Sequence, residues 1–422
     1  MRGQDRTGSA HTRRRFLQMA GVSAAAAVAA ACGSDTGRGG GGGGLSHWYH
    51  QYGEDGVEEA VRRYAAAYDK VEVSVQWTPG NYDTKLLSAL QGGSPPDVFE
   101  YQTKADLVRA GTLAPLDDVI GDAKDDFSAA SLASHTFEGS VYGIPQAVDT
   151  QFLVYRKSLL DDAGLEPPTS FEALVDAARS LTEGDRKGLF LGNNGGTDVL
   201  GPVPLWSNGL DYVTDDHKAG FDDPAAAEVF GGLHDLFESG ALLLGAPTDW
   251  SDPSAFLQGL TAMQWTGLWT LPQIEEEFPG DYGVLPWPAF GGDGSASVPV
   301  GAFGAMAYAD GPMVEEAKEY IKWLWIDQTE YQEDFNLGYG FHIPPRTSLA
   351  EKADELASGP AAEVVGFVDG LGRPSSPPEW TPAMDSAYKD ALTNIIKSGK
   401  DPEGELKAAA GTVQGELDKI FG

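Results

Sequence analysis

An α/β fold of about two domains is predicted by three observations. Between residues 45 and 101, strand-like and helix-like segments alternate, the pattern of a parallel sheet with helices on its faces. The chain has 422 residues with 41% hydrophobic content, enough for a substantial core and roughly two domains. The third observation is the stretch 255–269, Ala-Phe-Leu-Gln-Gly-Leu-Thr-Ala-Met-Gln-Trp-Thr-Gly-Leu-Trp. It reads as the end of a helix, a glycine stop at Gly259, a short buried strand and a tight turn at Gly267. That turn would deliver Trp269 to the lip of a sheet, at the start of another helix. Ligands of open α/β sheets collect outside the carboxyl ends of strands, so an aromatic ring there is well sited for recognition. The pattern also allows Trp265 and Trp269 both to be core.

The first 44 residues stand apart from the fold. Thr12-Arg13-Arg14-Arg15-Phe16-Leu17 matches a twin-arginine export signal, and the apolar run 19–31 that follows is too short to span a bilayer. The run ends in Ala29-Ala30-Ala31-Cys32-Gly33-Ser34, which resembles a bacterial lipobox with Ala29 where that motif prefers leucine. The resemblance implies cleavage before Cys32 and lipidation of its thiol, leaving residues 1–31 as signal peptide. As the sole cysteine, Cys32 has no partner for an internal disulfide. Residues 32–44 read as a glycine-rich tether. Loss of the arginine-rich signal takes the formal charge from −34 to about −38. So acidic a surface repels phosphate backbones and lacks the basic footprint of nucleic-acid binding.

From residue 45 the elements follow in order. Residues 45–52 form an apolar and aromatic first strand. Val57, Val61, Tyr64, Ala65 and Tyr68 share one helical face. Residues 71–77 alternate as a strand, 82–90 are helical, and Gly92-Gly93-Ser94-Pro95-Pro96 breaks that helix before a short buried strand at 97–99. After Val141-Tyr142-Gly143-Ile144-Pro145 comes a strand beginning near Asp149. Helices open at Thr169-Ser170-Phe171-Glu172, with capping-box spacing, and at Asp223-Pro224, an N-cap followed by proline. The latter helix buries Val229, Leu233, Leu236 and Phe237. Val314, Ala317, Ile321 and Leu324 form another stripe, Pro344-Pro345 closes that region, and residues beyond about 350 are helix-rich. Trp206, Trp323 and Trp325 are assigned to the core.

Ala-Phe-x-x-Gly-x-x-Ala-Met followed by Gly-x-Trp resembles the signature stretch of extracellular solute-binding proteins of family 1. These are the sugar receptors of ABC importers, with maltodextrin-binding proteins the familiar example. Gly-x-x-Pro-Pro-Asp-Val at 92–98 is similar to the same family's first lobe, and the resemblance runs through essentially the whole mature chain. It implies a two-lobed periplasmic-binding-protein-like fold of type II, with the ligand cleft between lobes. Residues 45–148 and 300–350 would form lobe 1, and 149–299 with 351–422 lobe 2. It further implies saccharide capture by lobe closure, delivery to ABC transporter permease subunits, and attachment outside the cell membrane through Cys32. A monomer without cofactor is expected.

The candidate site follows from strand ends that should face this cleft. His50 and Gln51 end the first strand, and Tyr101 and Gln102 follow the third, where the family stacks and hydrogen-bonds sugar. Asp149, at the crossover, matches a family carboxylate that accepts sugar hydroxyls; its structural alternative is a helix or turn cap. Asn194 lies in Gly192-Asn193-Asn194-Gly195-Gly196, and Trp250 precedes the signature helix. In the family, a Trp at the place of Trp269 stacks on a sugar ring. Trp380 matches one that lines the second lobe's wall from a proline-rich loop.

Other chemistries lack their motifs. No His-Glu-x-x-His occurs, one cysteine cannot build a zinc cage, and there is no Gly-x-Ser-x-Gly elbow or Walker-type loop. Asp215-Asp216-His217 and Asp222-Asp223 lack the spacing of a calcium loop and read as turns and caps, and Glu275-Glu276-Glu277 as a solvated helix face. Two other functions remain open: a secreted carbohydrate-active enzyme, for which no acid and nucleophile stand out among sixty-three acidic residues, and a same-fold receptor for a non-sugar solute such as a polyamine or metal complex. The anchoring reading has a direct test. Cys32→Ser should release the protein from the membrane fraction, and equal retention of the variant would refute lipidation there.

Overall fold

The computed structural model describes residues 43–422 except 53, 55, 292, 293, 302 and 340. The signal, Cys32 and nearly all of the tether lie outside the described residues. The strands are β1 (Leu45–His50), β2 (Val73–Thr78), β3 (Val98–Tyr101), β4 (Thr136–Phe137), β5 (Ser140–Val141), β6 (Ile144–Pro145) and β7 (Asp149–Arg156). They continue with β8 (Lys187–Phe190), β9 (Thr261–Gly267), β10 (Tyr282–Leu285), β11 (Val298–Gly301), β12 (Gly304–Ala307) and β13 (Gly372–Pro374). One sheet has the order β2-β1-β3-β12-β6. Its first three strands are parallel, as the β-α-β-α-β reading requires, while β12 runs antiparallel to both β3 and β6. The second sheet has the order β13-β11-β7-β9-β8, with β10 pairing on β7, and β4 and β5 form a separate hairpin. The architecture is two-lobed α/β.

Strand periodicity explains why each sheet supports a core on both faces. Val98, Ala305 and Ala307 enter one cluster of the first sheet, and Phe99, Tyr101 and Met306 the other. In the second sheet, Leu153, Tyr155, Met263 and Trp265 point one way and Phe152, Val154 and Val300 the other. β9 is buried along its whole length between β7 and β8, which settles Trp265 as core. Helices cover these faces through the predicted stripes. Val57–Ala67 buries Val57, Ala60, Val61, Tyr64 and Ala65, and Pro224–Glu238 buries Val229, Leu233 and Leu236 behind its Asp223 cap. The C-terminal helices Pro382–Ile396 and Pro402–Phe421 pack on Pro224–Glu238.

Two passages between the sheets position everything that follows. The chain leaves β6 at Pro145 and enters β7 at Asp149, and it leaves β11 at Gly301 and enters β12 at Gly304. Val148 and Ile343 exchange backbone hydrogen bonds of 2.8 and 3.1 Å beside the first passage, tying a third stretch of chain to it.

Three expectations are corrected. Gly267 is not a turn; it is the extended last residue of β9 (φ −123°, ψ 169°), and the bend is the 3₁₀ segment Leu268–Thr270. Its glycine is needed for space, because a Cβ there would overlap the six-membered ring of Trp269. The helix Phe171–Ser180 is capped by Ser170, whose hydroxyl accepts from the Ala173 N–H, rather than by Thr169. Ser170 takes that place because its extended backbone directly precedes the first helical residue. Trp206 and Trp325 are core, but Trp323 is only half-buried, lying on the rings of Tyr68 and Tyr320 at the edge of the first sheet's cluster.

Candidate binding site

Between the two sheets lie two adjoining cavities of about 510 and 170 Å³ that share Gln102, Gln151, Pro299, Phe303 and Ser375, and so form one cleft. The passages between sheets supply its floor. β7 opens with Asp149 and places Gln151 two residues on, on the same side of the strand. Gly301 and Phe303 flank the second passage. The end of β3 contributes Tyr101, Gln102 and Lys104 from the first sheet, and the segment after β13 contributes Ser375, Ser376 and Trp380 from the second.

Five of the nine predicted ligand residues meet here: Tyr101, Gln102, Asp149, Trp269 and Trp380. Trp269 is half-buried at the smaller cavity. Its ring lies over Gly267, its Nε1 donates to the Ser251 carbonyl at 2.9 Å, and Trp250 packs edge-on against it at 5.8 Å. With the N–H already engaged, what this ring offers a ligand is its apolar surface. Trp380 differs. Only 3% exposed, it stacks flat on Tyr212 with centroids 3.7 Å apart, so the pair is wall and core at once.

The other four stand outside the lining. His50 lies behind it, with its Nδ1 2.9 Å from Glu100 Oε2 and its ring against Tyr52 and Phe303. Gln51 is exposed beyond β1. Asn194 is engaged by Asp198 and by Lys397 Nζ at 2.6 Å. Trp250 supports Trp269 from the side.

The polar lining holds groups the sequence reading missed. Lys104 is 7% exposed and donates to Ser376 Oγ across the cleft. Burial brings its ammonium down to about 8, against the opposing pull of Asp385, Asp106, Asp83 and Glu379. Asp385 pairs with Lys389 at 2.9 Å, and burial raises the Asp83 carboxyl. Asp149 is met from behind by His342, whose other ring nitrogen lies 2.9 Å from Glu54 Oε1. Burial alone would lower the His342 ring; the two carboxylates outweigh it and raise it to about 10. Among the described residues, no group of three or more His, Cys, Asp or Glu side chains is placed to hold a metal ion. Gln151 had a signal, the two-residue period from Asp149, whereas Lys104 and His342 had none.

The model of the bacterial extracellular solute-binding protein family matches residues 26–325. The chain belongs to that family. Solute-binding proteins similar to it include the diacetylchitobiose binding protein DasA of Streptomyces coelicolor, 29% identical over 83% of this chain and 82% of that one. A maltotriose-binding protein of Pyrococcus abyssi is 22% identical over 86% of this chain and 78% of its own length. The GacH receptor of Streptomyces glaucescens, solved unliganded and with acarbose, is 25% identical and superposes with a TM-score of 0.70 over 89% of this chain and 98% of its own. The fold is thus that of the solute-binding proteins, and membership places the chain outside the cytoplasm.

The two cleft tryptophans are in different situations, and truncation separates them. Trp380→Ala should lower unfolding free energy by about 3–5 kcal/mol, the usual cost of deleting a buried aromatic, and Trp269→Ala by clearly less. Urea melts of the unliganded variants check this, and equal losses would contradict the assignment.

Proposed function

We propose that this solute-binding protein captures a saccharide in the cleft and hands it to an ABC transporter permease, acting by binding and closure without making or breaking bonds. The observation that carries the saccharide reading is the presentation of Trp269. Gly267, Ser251 and Trp250 together hold one indole so that an apolar face is its remaining offer, which suits the hydrophobic side of a sugar ring. Around it stand acceptors and donors for hydroxyls: Gln102, Gln151, Asp149 and Ser375. Relatives named for diacetylchitobiose and maltotriose support the same solute class.

In this reading, residues 45–148 with 304–350 and residues 149–301 with 351–422 are the lobes, the boundary expected at 300 moving to the end of β11, and they rotate about the passages between β6 and β7 and between β11 and β12. The mature chain is a monomer needing no cofactor, tethered to the outer face of the membrane through Cys32. Micromolar capture corresponds to about −8 kcal/mol, within reach of one stacked ring and a few charge-assisted hydrogen bonds after ordering costs.

A thermal-shift screen of the mature protein over mono- and oligosaccharides should give at least one binder, with no turnover on prolonged incubation. Against that binder, Trp269→Ala should weaken affinity by roughly 1–2 kcal/mol, about five- to thirtyfold. Hydrolysis of the sugar would make the protein an enzyme, and unchanged affinity would remove Trp269 from the site.

A further inference from the structure

Asp149 and His342 are brought together by backbone pairing. Val148 and Ile343 form an antiparallel bridge, so Asp149, one residue after Val148, lies beside His342, one residue before Ile343. His342 is further fixed by its own N–H, which donates to the Asn336 carbonyl at 3.0 Å. The ring is 4% exposed, and each nitrogen has a carboxylate beside it: Nδ1 hydrogen-bonds Asp149 Oδ1, and Nε2 lies at an ion-pair distance of 2.9 Å from Glu54 Oε1 without hydrogen-bond alignment. A neutral imidazole has one N–H and one lone pair, and that lone pair would be turned on a carboxylate oxygen. Only the doubly protonated ring suits both neighbours. The other titratable ring packed against it, Tyr52, stands edge-on at 6.3 Å and gives its hydroxyl hydrogen to Glu100.

We propose that His342, held as an imidazolium between Glu54 and Asp149, is a positioning residue of the ligand cleft. It takes up Oδ1 of Asp149 and leaves Oδ2 as the one oxygen offered to the solute. Among the described residues, Oδ2 makes no other hydrogen bond, and Asp149 is the exposed end of the chain of three, at 30% against 14% for Glu54. The consequence is a restriction on the ligand. Asp149 meets the solute's hydroxyls through Oδ2, not through a bidentate pair with one hydroxyl on each oxygen. Glu54 and His342 fix the orientation of Asp149 at the start of β7. The inference rests on the reading that this cleft binds a saccharide.

The bridge also carries a pH signature. A ring raised from its ordinary 6.5 to about 10 stabilises the fold fully below pH 6.5, and that contribution is lost as pH rises through 10.

The test has a ligand-free arm and a binding arm, both on the mature chain. In the first, ¹⁵N spectra of histidine-labelled wild type at pH 8 should show both His342 ring nitrogens protonated. A neutral-tautomer pattern overturns the proposal without any variant having to fold. In the second, maltotriose and N,N′-diacetylchitobiose are titrated calorimetrically into wild type, His342→Ala, His342→Gln, Asp149→Asn and the double variant His342→Ala/Asp149→Asn. His342→Ala should weaken binding about tenfold or more. His342→Gln, which keeps an N–H for Asp149, should recover part of the loss, and the double variant should bind no more weakly than Asp149→Asn alone. Wild-type affinity in both His342 variants, or losses that multiply in the double variant, would overturn the positioning role. If neither these sugars nor any other saccharide of the thermal-shift screen binds wild type while the ring is doubly protonated, the saccharide reading fails and the bridge stands.

Discussion

The site depends on two passages of two or three residues in which the chain leaves one sheet and enters the other. Between Pro145 and Asp149, and between Gly301 and Gly304, the chain runs directly from a strand of one sheet to a strand of the other. So short a connection fixes where the sheets meet and forces the strand termini around it into one cleft. Asp149, Gln151, Gly301 and Phe303 line the cleft because they flank these passages. The Val148–Ile343 bridge adds a third strand of chain at the same place, and with it the His342 ring. Rotation about such points changes few backbone angles and leaves both cores packed, the economy that hinge closure needs.

Electrostatics inside the cleft run against the rest of the molecule. A chain with a formal charge of −34 places two ammonium groups, Lys104 and Lys389, among the lining carboxylates. Burying Lys104 is costly, as its lowered ammonium shows, and Ser376 with the surrounding acids offsets the cost. The lining thus mixes donors and acceptors at close range, which suits hydroxyls that act as both. The aromatic surfaces are unequal partners. Trp269 can be covered by a ligand, whereas Trp380 already spends one face on Tyr212.

Much of this was legible in the sequence, for identifiable reasons. The first strands and helix announce themselves by composition and period, because residues 45–52 are apolar and aromatic, Val57, Val61, Tyr64 and Ala65 repeat at helical spacing, and residues 71–77 alternate. The Asp223-Pro224 start is local chemistry, and Trp269 was found because a buried strand ends just before it. What sequence could not carry is contact across distance. His342 lies 193 residues from Asp149, and nothing local to either marks the pair. Tyr212 and Trp380 meet in the same way. Gly267 shows a subtler failure: a glycine suggests a turn, but here it clears space for an indole in an extended strand, and only the ring's position reveals that. His50, Gln51, Asn194 and Trp250 share a cause. Each sits at a strand end or loop of the right kind, but sequence does not tell which side of the loop faces the cleft.

The central claim is that solute binding closes the two halves about the passages beside Asp149 and Phe303. Spin labels on Glu59→Cys, in the helix Val57–Ala67, and Asp235→Cys, in the helix Pro224–Glu238, would report it in a Cys32→Ser background; both positions are exposed. Their separation is measured by double electron–electron resonance with and without a saccharide from the screen. Closure predicts a shift to a single shorter distance on saturation, absent in a variant that does not bind. An unchanged distance distribution with the sugar demonstrably bound would contradict the account.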